Sequence, residues 1–598
     1  MTPGASAVSG GTQFAVRARD AAYVDLCLFN GDRERQIRMQ RQGEFYLAVV
    51  EVPPGQHYGY RAHGSWAPEK RLLFDYAKLL VDPYAKRLDR RFQYDPALAT
   101  RGVDTARLVP KAILAHQPEM RPLSSPLFSP GGLIYELNVR SFTQRHPDIP
   151  AHMRGTIRAL AHPAVIAHLH KLRVNAVELM PIVAWIDERH LPPLGLRNAW
   201  GYNPVVPMAL DPGLAPGGVE ELEDTVVDLR RAGIGVILDL VLNHTGESDS
   251  QGPTLSLRGL DNRCYAHGPD GALINHAGTG NMLDAADPAV RALMLDTLRH
   301  FASLGVDGFR FDLAPILART PDFDPLAAIF SDIRQDPLLQ DRIMIAEPWD
   351  VGPGGYQLGR FPANWLEWND RYRDDVRRFW RGDAGAAGPL ATRMMGSSDI
   401  FAGKTTRAVN FIAAHDGFTL ADTVSYAHKH NDANGENNRD GHNENFSWNN
   451  GTEGPTADPD ILAHRRTDQR ALLATLFASR GTIQLTAGDE FGHSQQGNNN
   501  AYAQDNGITW LDWESRDLEL EDFARDCAQL RSIIPELSDA HFLDQADWYD
   551  LGGNRMTDQS WQRAEGFEVH VTRENGRILS IRIDRQNRSV HIATRDPH

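Results

Sequence analysis

The sequence predicts a central (β/α)8 barrel of the triosephosphate-isomerase type between two β domains. Three observations predict this class. Short β-rich segments separated by turn residues fill the first hundred positions, apolar strands alternate with amphipathic helices from about Leu133, and a strand pair returns near the end. We therefore place an N-terminal β domain at 1–115, the barrel at 116–535 and a small C-terminal β domain at 536–598.

The front segment contains four strand candidates, at 14–18, 23–29, 45–52 and 57–62. Glycine, asparagine and proline turn signals separate them, and no helical periodicity intervenes. This pattern predicts a small domain built from β-strands.

The barrel segment contains eight strand candidates in order, of which the sixth is the weakest. They lie at 134–139, 176–180, 235–242, 306–312, 343–347, 365–368, 408–415 and 482–487. Helical patterns occupy 164–172, 219–232, 289–304, 371–380 and 466–479. Such an alternation is typical of a parallel barrel, which places its active site at the carboxyl ends of the strands.

Beyond about Pro535 the helical patterns stop. Segments 567–572 and 577–584 flank Asn575 and Gly576, a dipeptide typical of a tight β-hairpin.

Within the barrel segment, residues 430–455 are unusually rich in Asn, Gly and acidic residues. This composition predicts either a long ordered loop or a mobile one.

Composition excludes several classes of partner. The chain has 598 residues, with 62 basic and 78 acidic side chains and a net charge of −16, which disfavours nucleic acid and anionic membranes. Its three cysteines, Cys27, Cys264 and Cys527, are far apart, so we expect neither a disulfide framework nor a zinc site. No leader pattern or long apolar run is found, and a cytoplasmic location is expected.

Two carboxyl groups have contrasting surroundings. Arg310 and Asp312 are two residues apart on one strand, so both side chains point the same way and the cation favours an ionised Asp312. Glu347 follows the next strand between apolar neighbours, which favour its protonated form. A carboxylate nucleophile paired with a carboxylic acid predicts glycoside hydrolysis, with a separation of about 5 to 5.5 Å in a retaining enzyme.

Other polar motifs end neighbouring strands, and each has a structural alternative. Asn243 and His244 follow the third strand, where a histidine is more often structural than catalytic. His415 and Asp416 follow the seventh, where an aspartate can simply cap a helix. Because four such motifs would converge on one pocket, a shared site explains them better than chance.

In their order and spacing, the motifs DLVLNHT, GFRFDLA, IAEPWD and AAHDG resemble the α-amylase superfamily of glycoside hydrolases. The resemblance implies three catalytic residues: Asp312 as nucleophile, Glu347 as general acid/base and Asp416 as transition-state stabiliser. It also implies substrate-binding roles for Asn243, His244, Arg310 and His415. Tyr202, in WGYNP, offers a ring on which a sugar could stack, although core packing is an equal alternative.

Longer stretches resemble bacterial glycogen debranching enzymes of the isoamylase-like branch. Examples are EPWDVGPGGYQLGRFP and GDEFGHSQQGNNNAYAQDN, and the likeness covers nearly the whole chain. It implies a glycogen-binding-module-like β-sandwich at the front and another sandwich behind, although the region after Pro535 is short for a complete one. The implied substrate is glycogen or another branched α-glucan, and we expect no cofactor. Isoamylases of this branch can hold calcium after the second strand, but PIVAWIDERH follows it here without a matching ligand set, so no required metal is expected.

Three alternatives remain open from the sequence. A glucan branching enzyme or glucanotransferase would use the same carboxylates, with a sugar hydroxyl in place of water. A non-catalytic glycan-binding protein and a purely structural barrel are disfavoured by the intact Asp312, Glu347 and Asp416. The front domain is expected to position glucan, with equal weight given to a packing domain that never touches sugar.

Overall fold

A closed barrel of eight parallel strands forms the centre of the computed structural model. The structure describes residues 3–115, 124–319, 321–543, 545–572 and 576–595. The barrel strands are Leu133–Leu137, Ala176–Leu179, Gly235–Leu240, Gly308–Phe311, Ile343–Ala346, Trp365–Asn369, Ala408–Asn410 and Thr482–Thr486. The predicted barrel is confirmed, including its weak sixth strand. The first strand closes it by pairing with both the second and the eighth.

Helices surround the barrel. The longer ones are Pro163–Lys171, Val219–Arg231, Pro288–Ser303, Ala328–Gln335, Asp370–Arg381, Ala387–Met394, Pro459–Ala478 and Leu518–Ser532. All five predicted helices are present, but the one predicted from 466 begins at Pro459. Asp458 sets that start, because its side chain accepts from the Asp460 backbone N–H at 2.9 Å. Within the described ranges, no helix is long and apolar enough to cross a membrane.

Several barrel strands end one or more residues earlier than predicted, and two of these early ends have a clear cause. The first stops at Leu137 because Asn138 caps the short helix Val139–Thr143, accepting from Ser141 N at 3.0 Å. The seventh covers only Ala408–Asn410, since the Ile412 carbonyl accepts from the Arg377 guanidinium at 2.6 and 3.0 Å instead of from a neighbouring strand. The segment that ends in His415 is therefore a loop aimed over the barrel mouth.

The front domain consists of two antiparallel four-stranded sheets. One contains Gly4–Val8, Gly11–Arg17, Phe45–Val50 and Gln40–Gln42 in that order; the other contains Ala112–Ile113, His57–His63, Tyr23–Asn30 and Arg33–Arg38. Fully buried rings such as Phe14 and Tyr60 fill the space between the sheets. All four strands predicted here are confirmed, and the domain is a sandwich.

Charged side chains fix the front sandwich to the barrel. Arg19 Nε lies 2.8 Å from Asp261 Oδ2, and its Nη2 lies 2.5 Å from Asp287 Oδ2. Arg17 Nη1 reaches the same two aspartates at 3.1 and 3.5 Å. Asp261 and Asp287 belong to the barrel domain, so these ion pairs fix the orientation of the sandwich relative to the barrel.

The carboxy-terminal region is a single antiparallel sheet of four strands, Asp547–Tyr549, Gly566–Thr572, Ile578–Asp584 and Ser589–Arg595. The prediction that helices stop after Pro535 is wrong, because Pro535–Ser538 and Asp558–Arg563 are short helices. A capping box between Thr557 and Ser560 stabilises the second one. The predicted turn residue Asn575 lies outside the described residues.

Candidate active site

A cleft of about 1390 Å³ opens at the carboxyl ends of the barrel strands. Six of the eight predicted site residues line it, namely Tyr202, His244, Asp312, Glu347, His415 and Asp416. The other two, Asn243 and Arg310, are 0% exposed and lie directly beneath. The strand ends therefore bring all eight residues together, but Asn243 and Arg310 support the carboxylates instead of facing the cleft.

Asp312 and Glu347 flank a single guanidinium. Arg310 Nη1 donates to Asp312 Oδ1 at 3.3 Å, and its Nη2 lies 3.3 Å from Glu347 Oε2. Asn243 Nδ2 donates to Asp312 Oδ2 at 2.7 Å. These fixed donors orient the Asp312 carboxylate, which is the partly exposed member of the pair and can reach a substrate.

Glu347 is built to hold a proton. Burial raises its pKa to about 8; the negative charges of Asp312 and Asp416 add to this rise, and Arg310 opposes it. One oxygen accepts from the Leu313 backbone N–H at 2.6 Å, a contact that opposes the rise in pKa but does not outweigh burial. Leu313 has a φ of 42°, an unfavourable left-handed conformation for leucine, so local backbone strain accompanies this contact. Near neutral pH, Glu347 is therefore a carboxylic acid able to protonate a leaving oxygen.

A buried ion pair between the first strand and the loop after the seventh strand, which both flank the eighth strand, positions the third carboxylate. His415 Nδ1 lies 2.7 Å from Glu136 Oε1, and the His415 backbone N–H donates to Glu136 Oε2 at 3.2 Å. Burial disfavours the imidazolium, but Glu136 outweighs it and raises the pKa of His415 to about 9. Burial likewise opposes ionisation of Asp416, yet the adjacent His415 helps to hold its pKa below the ordinary value. Asp416 is thus an ionised carboxylate at the cleft floor.

Further acids lie inside the barrel below these groups. Asp239 accepts from Arg310 Nη1 at 3.0 Å, and burial raises the pKa of Asp239 to about 6. Glu178, on the second strand, is buried beside Glu136 and Asp239, and burial raises its pKa far above the ordinary range. Protonation of Glu178 relieves the excess of carboxylates over the cations Arg310 and His415. The positive charge of Arg310 is therefore kept for Asp239 and the catalytic pair.

Tyr202 lines the cleft and also contacts two buried side chains below it. Its ring stacks on His415 with a centroid separation of 4.8 Å, and its hydroxyl donates to Asp239 Oδ2 at 2.5 Å. The residue is partly exposed and lines the cleft. Tyr202 is therefore a rigid aromatic wall beside the reaction centre rather than plain core packing.

Sequence reasoning missed several residues that shape the site. One of them, Glu136, could have been found from the sequence, because it is the one charged residue in the first strand and such a buried charge needs a partner. The front domain contributes Trp66 and Tyr94, which lie outside its two sheets, to the cleft lining, and the Asn-rich segment contributes His442. Within the described ranges, no group of three or more His, Cys, Asp or Glu side chains is arranged to hold a metal ion.

Residues 2–85 match the profile of carbohydrate-binding module 48, described as the isoamylase N-terminal domain. Solved structures share the overall fold at low sequence identity. A pullulanase from Anoxybacillus sp. LM18-11, complexed with maltotetraose, is 22% identical with a TM-score of 0.70, covering 97% of this chain and 81% of its own. The Bacillus subtilis type I pullulanase complexed with maltose is 20% identical with a TM-score of 0.71, covering 98% and 79%.

Curated relatives extend over almost the whole chain. The glycogen debranching enzyme of Pectobacterium carotovorum is 45% identical over 94% of this chain and 89% of its own. That of Yersinia enterocolitica is 43% identical over 97% of this chain and 92% of its own. With this identity and this coverage, and with a barrel whose strand ends carry the expected carboxylates, the chain belongs to the glycogen debranching enzyme family.

Proposed function

We propose that this protein is a glycoside hydrolase that cleaves α-1,6-glucosidic branch points of glycogen or limit dextrin and releases short malto-oligosaccharides. The observation that carries glycoside hydrolysis is the pairing of an oriented Asp312 with a proton-holding Glu347 across Arg310. Membership of the glycogen debranching enzyme family supports branched α-glucan as the substrate. The same membership favours hydrolysis over the branching or transfer alternative.

The reaction proceeds by double displacement. Glu347 gives its proton to the glycosidic oxygen while Asp312 attacks the anomeric carbon, forming a covalent glycosyl-enzyme. Glu347, now ionised, removes a proton from water, which attacks the same carbon and releases Asp312. Asp416 stabilises the positive charge that develops on the sugar ring, and Asn243 and Arg310 keep the nucleophile oriented.

Three purified polymers test the bond choice directly. Incubation with phosphorylase-limit glycogen is expected to release short linear malto-oligosaccharides with new reducing ends, whereas amylose should be cleaved slowly or not at all. Pullulan extends the comparison to α-1,6 links within a linear chain. Rapid amylose cleavage without debranching of limit glycogen would contradict the proposal, and chain transfer without new reducing ends would favour the transferase.

The front sandwich is proposed to touch the polysaccharide as well as to pack on the barrel. Trp66 is 37% exposed in the hairpin Trp66–Ala67 and Leu72–Leu73, and it lines the same cleft as the catalytic carboxylates. That hairpin is fixed to a barrel loop, because Asn262 Nδ2 donates to Arg71 O at 3.2 Å. A flat apolar ring at this position suits stacking against a glucose unit away from the reaction centre.

Trp66→Ala is therefore expected to raise KM for limit glycogen by about 2- to 10-fold with little change in kcat, the effect of losing one stacking contact. Steady-state kinetics on limit glycogen and on maltotetraosyl fluoride measure it. Tyr356→Ala is the matched control, since Tyr356 is 45% exposed but does not line the cleft. An unchanged KM for limit glycogen would contradict the proposed contact and indicate that the front domain only packs against the barrel.

A further inference from the structure

Two loops form a wall of the active cleft that the catalytic motifs do not include. The Asn-rich loop, residues 429–445, brings Glu436, Asp440 and His442 to the cleft lining. The facing loop, residues 498–504, brings Asn500 and Tyr502. Of the two alternatives for the Asn-rich segment, the ordered loop is the one observed, and the facing loop explains why.

Buried amides tie the two loops together. Asn431 Nδ2 donates to Asn499 Oδ1 at 2.9 Å, and the Asn499 backbone N–H donates back to Asn431 Oδ1 at 3.0 Å. Asn498 Nδ2 donates to Asn434 Oδ1 at 2.9 Å. All four side chains are at most 1% exposed. We name this group, Asn431, Asn434, Asn498 and Asn499, the amide lock.

The amide lock holds the two loops in one relative position as well as filling the space between them. Burying an amide costs free energy unless its hydrogen bonds are made, and a satisfied polar network accepts only one arrangement of its partners. Gly441 shows how close this packing is. Its φ is 71°, and a Cβ there would lie 2.3 Å from Asn499 Oδ1 and 2.8 Å from Asn431 Nδ2. A side chain at 441 would therefore displace the lock.

The lock holds the backbone of His442 directly. Asn499 Nδ2 donates to His442 O at 2.8 Å and to Asn445 Oδ1 at 2.8 Å. The His442 side chain is exposed in the cleft, whereas Asp416 is only partly exposed below it. The electrostatic influence of His442, after that of His415, helps to lower the pKa of Asp416. His442 thus lies on the mouth side of the proposed transition-state stabiliser.

We propose that the amide lock positions His442 to contact the main chain of a branched glucan as that chain crosses the cleft mouth. This inference rests on the proposed debranching function and names a residue that selects its substrate. Bond choice must come from the cleft walls, because α-1,4 and α-1,6 links pass through similar transition states. If His442 is held beside the reaction centre, it contacts a main chain only when a branch point of the glucan is bound there.

Asn499→Asp tests the positioning role with almost no change of size. The new carboxylate oxygen would face His442 O and Asn445 Oδ1, which are both acceptors, so the wall should move. The ratio of kcat/KM for limit glycogen to kcat/KM for maltotetraosyl fluoride, which lacks a main chain, is expected to fall about 10- to 100-fold. Gly441→Ala should lower the same ratio by displacing Asn499.

His442→Ala keeps the backbone carbonyl and an exposed position, so it tests the contact without disturbing the lock. It should lower the same ratio, and adding it to Asn499→Asp should cause little further loss, because both variants remove one contact. Asn449→Ala is the matched control, since Asn449 lies in the same Asn-rich segment but does not line the cleft.

Equal losses on both substrates, or an unchanged ratio in His442→Ala, would overturn the inference. Wild-type enzyme that fails to debranch limit glycogen would instead overturn the proposed function itself. The two failures are therefore distinguished by the wild-type measurement alone.

Discussion

Asp312→Ala is expected to lower kcat on limit glycogen by at least about 10⁴-fold while the protein stays folded. No other group takes over its role, because Asn243 at 2.7 Å and Arg310 at 3.3 Å both donate to the Asp312 carboxylate and orient it alone as nucleophile. Its removal deletes the atom that would bond to the anomeric carbon. Turnover is measured by reducing ends, and folding by thermal melting.

The matched control is Asp341→Ala, which removes an exposed carboxylate at the far end of the fifth strand and should leave kcat unchanged. A folded Asp312→Ala enzyme with near-normal turnover would refute the nucleophile assignment.

The stereochemistry of hydrolysis by the wild-type enzyme gives a separate test. Double displacement requires that proton NMR detect the α anomer of the product first, and a β anomer would indicate inversion.

The barrel and the convergence of its strand-end carboxyl groups were predictable for one physical reason. Parallel strands buried on both faces read as apolar runs, and their carboxyl ends meet at one mouth. Polar residues at those ends, such as Asp312, Glu347 and Asp416, therefore had to converge. The pairing of the fourth strand with the fifth places the strand ends before Asp312 and Glu347 side by side, and all three carboxyl groups line one cleft.

The support beneath the site could not be predicted in the same way. Glu136 pairs with His415, which is 279 residues away, so the contact depends on closure of the barrel and not on any local pattern. The early end of the seventh strand has the same origin, since Arg377 satisfies the Ile412 carbonyl from a neighbouring helix. Side-chain partners from distant segments override local strand propensity here.

The residues that form the walls of the cleft could not be predicted from the sequence either. Asn-rich composition alone is compatible with an ordered or a mobile loop, and only the facing amides of Asn498 and Asn499 decide between them. Trp66 reaches the cleft through the orientation of a whole domain, which Arg17 and Arg19 fix on the barrel. The shape of the cleft therefore depends on contacts between segments that are far apart in the sequence.

Glu347→Gln is expected to lower kcat on limit glycogen by about 10²- to 10⁴-fold, the range for loss of a general acid. Burial and the charges of Asp312 and Asp416 raise the pKa of Glu347 to about 8, with Arg310 opposing them. The protonated form is the active one, so wild-type kcat/KM on limit glycogen should fall as the pH rises through about 8. Glu347→Gln should lose this alkaline limb, and an unchanged limb would contradict the assignment.

Maltotetraosyl fluoride separates the roles of Glu347 and Asp312, because fluoride departs without a proton. Glu347→Gln should still form the glycosyl-enzyme from it but release it slowly, having lost the base that activates water. Added azide needs no base, so it should restore turnover in Glu347→Gln and give the α-glycosyl azide. In Asp312→Ala no glycosyl-enzyme can form, and azide could react only by direct displacement to the β-glycosyl azide. If azide fails to accelerate Glu347→Gln, or if both variants give the same azide anomer, the division of labour between these two carboxyl groups is wrong.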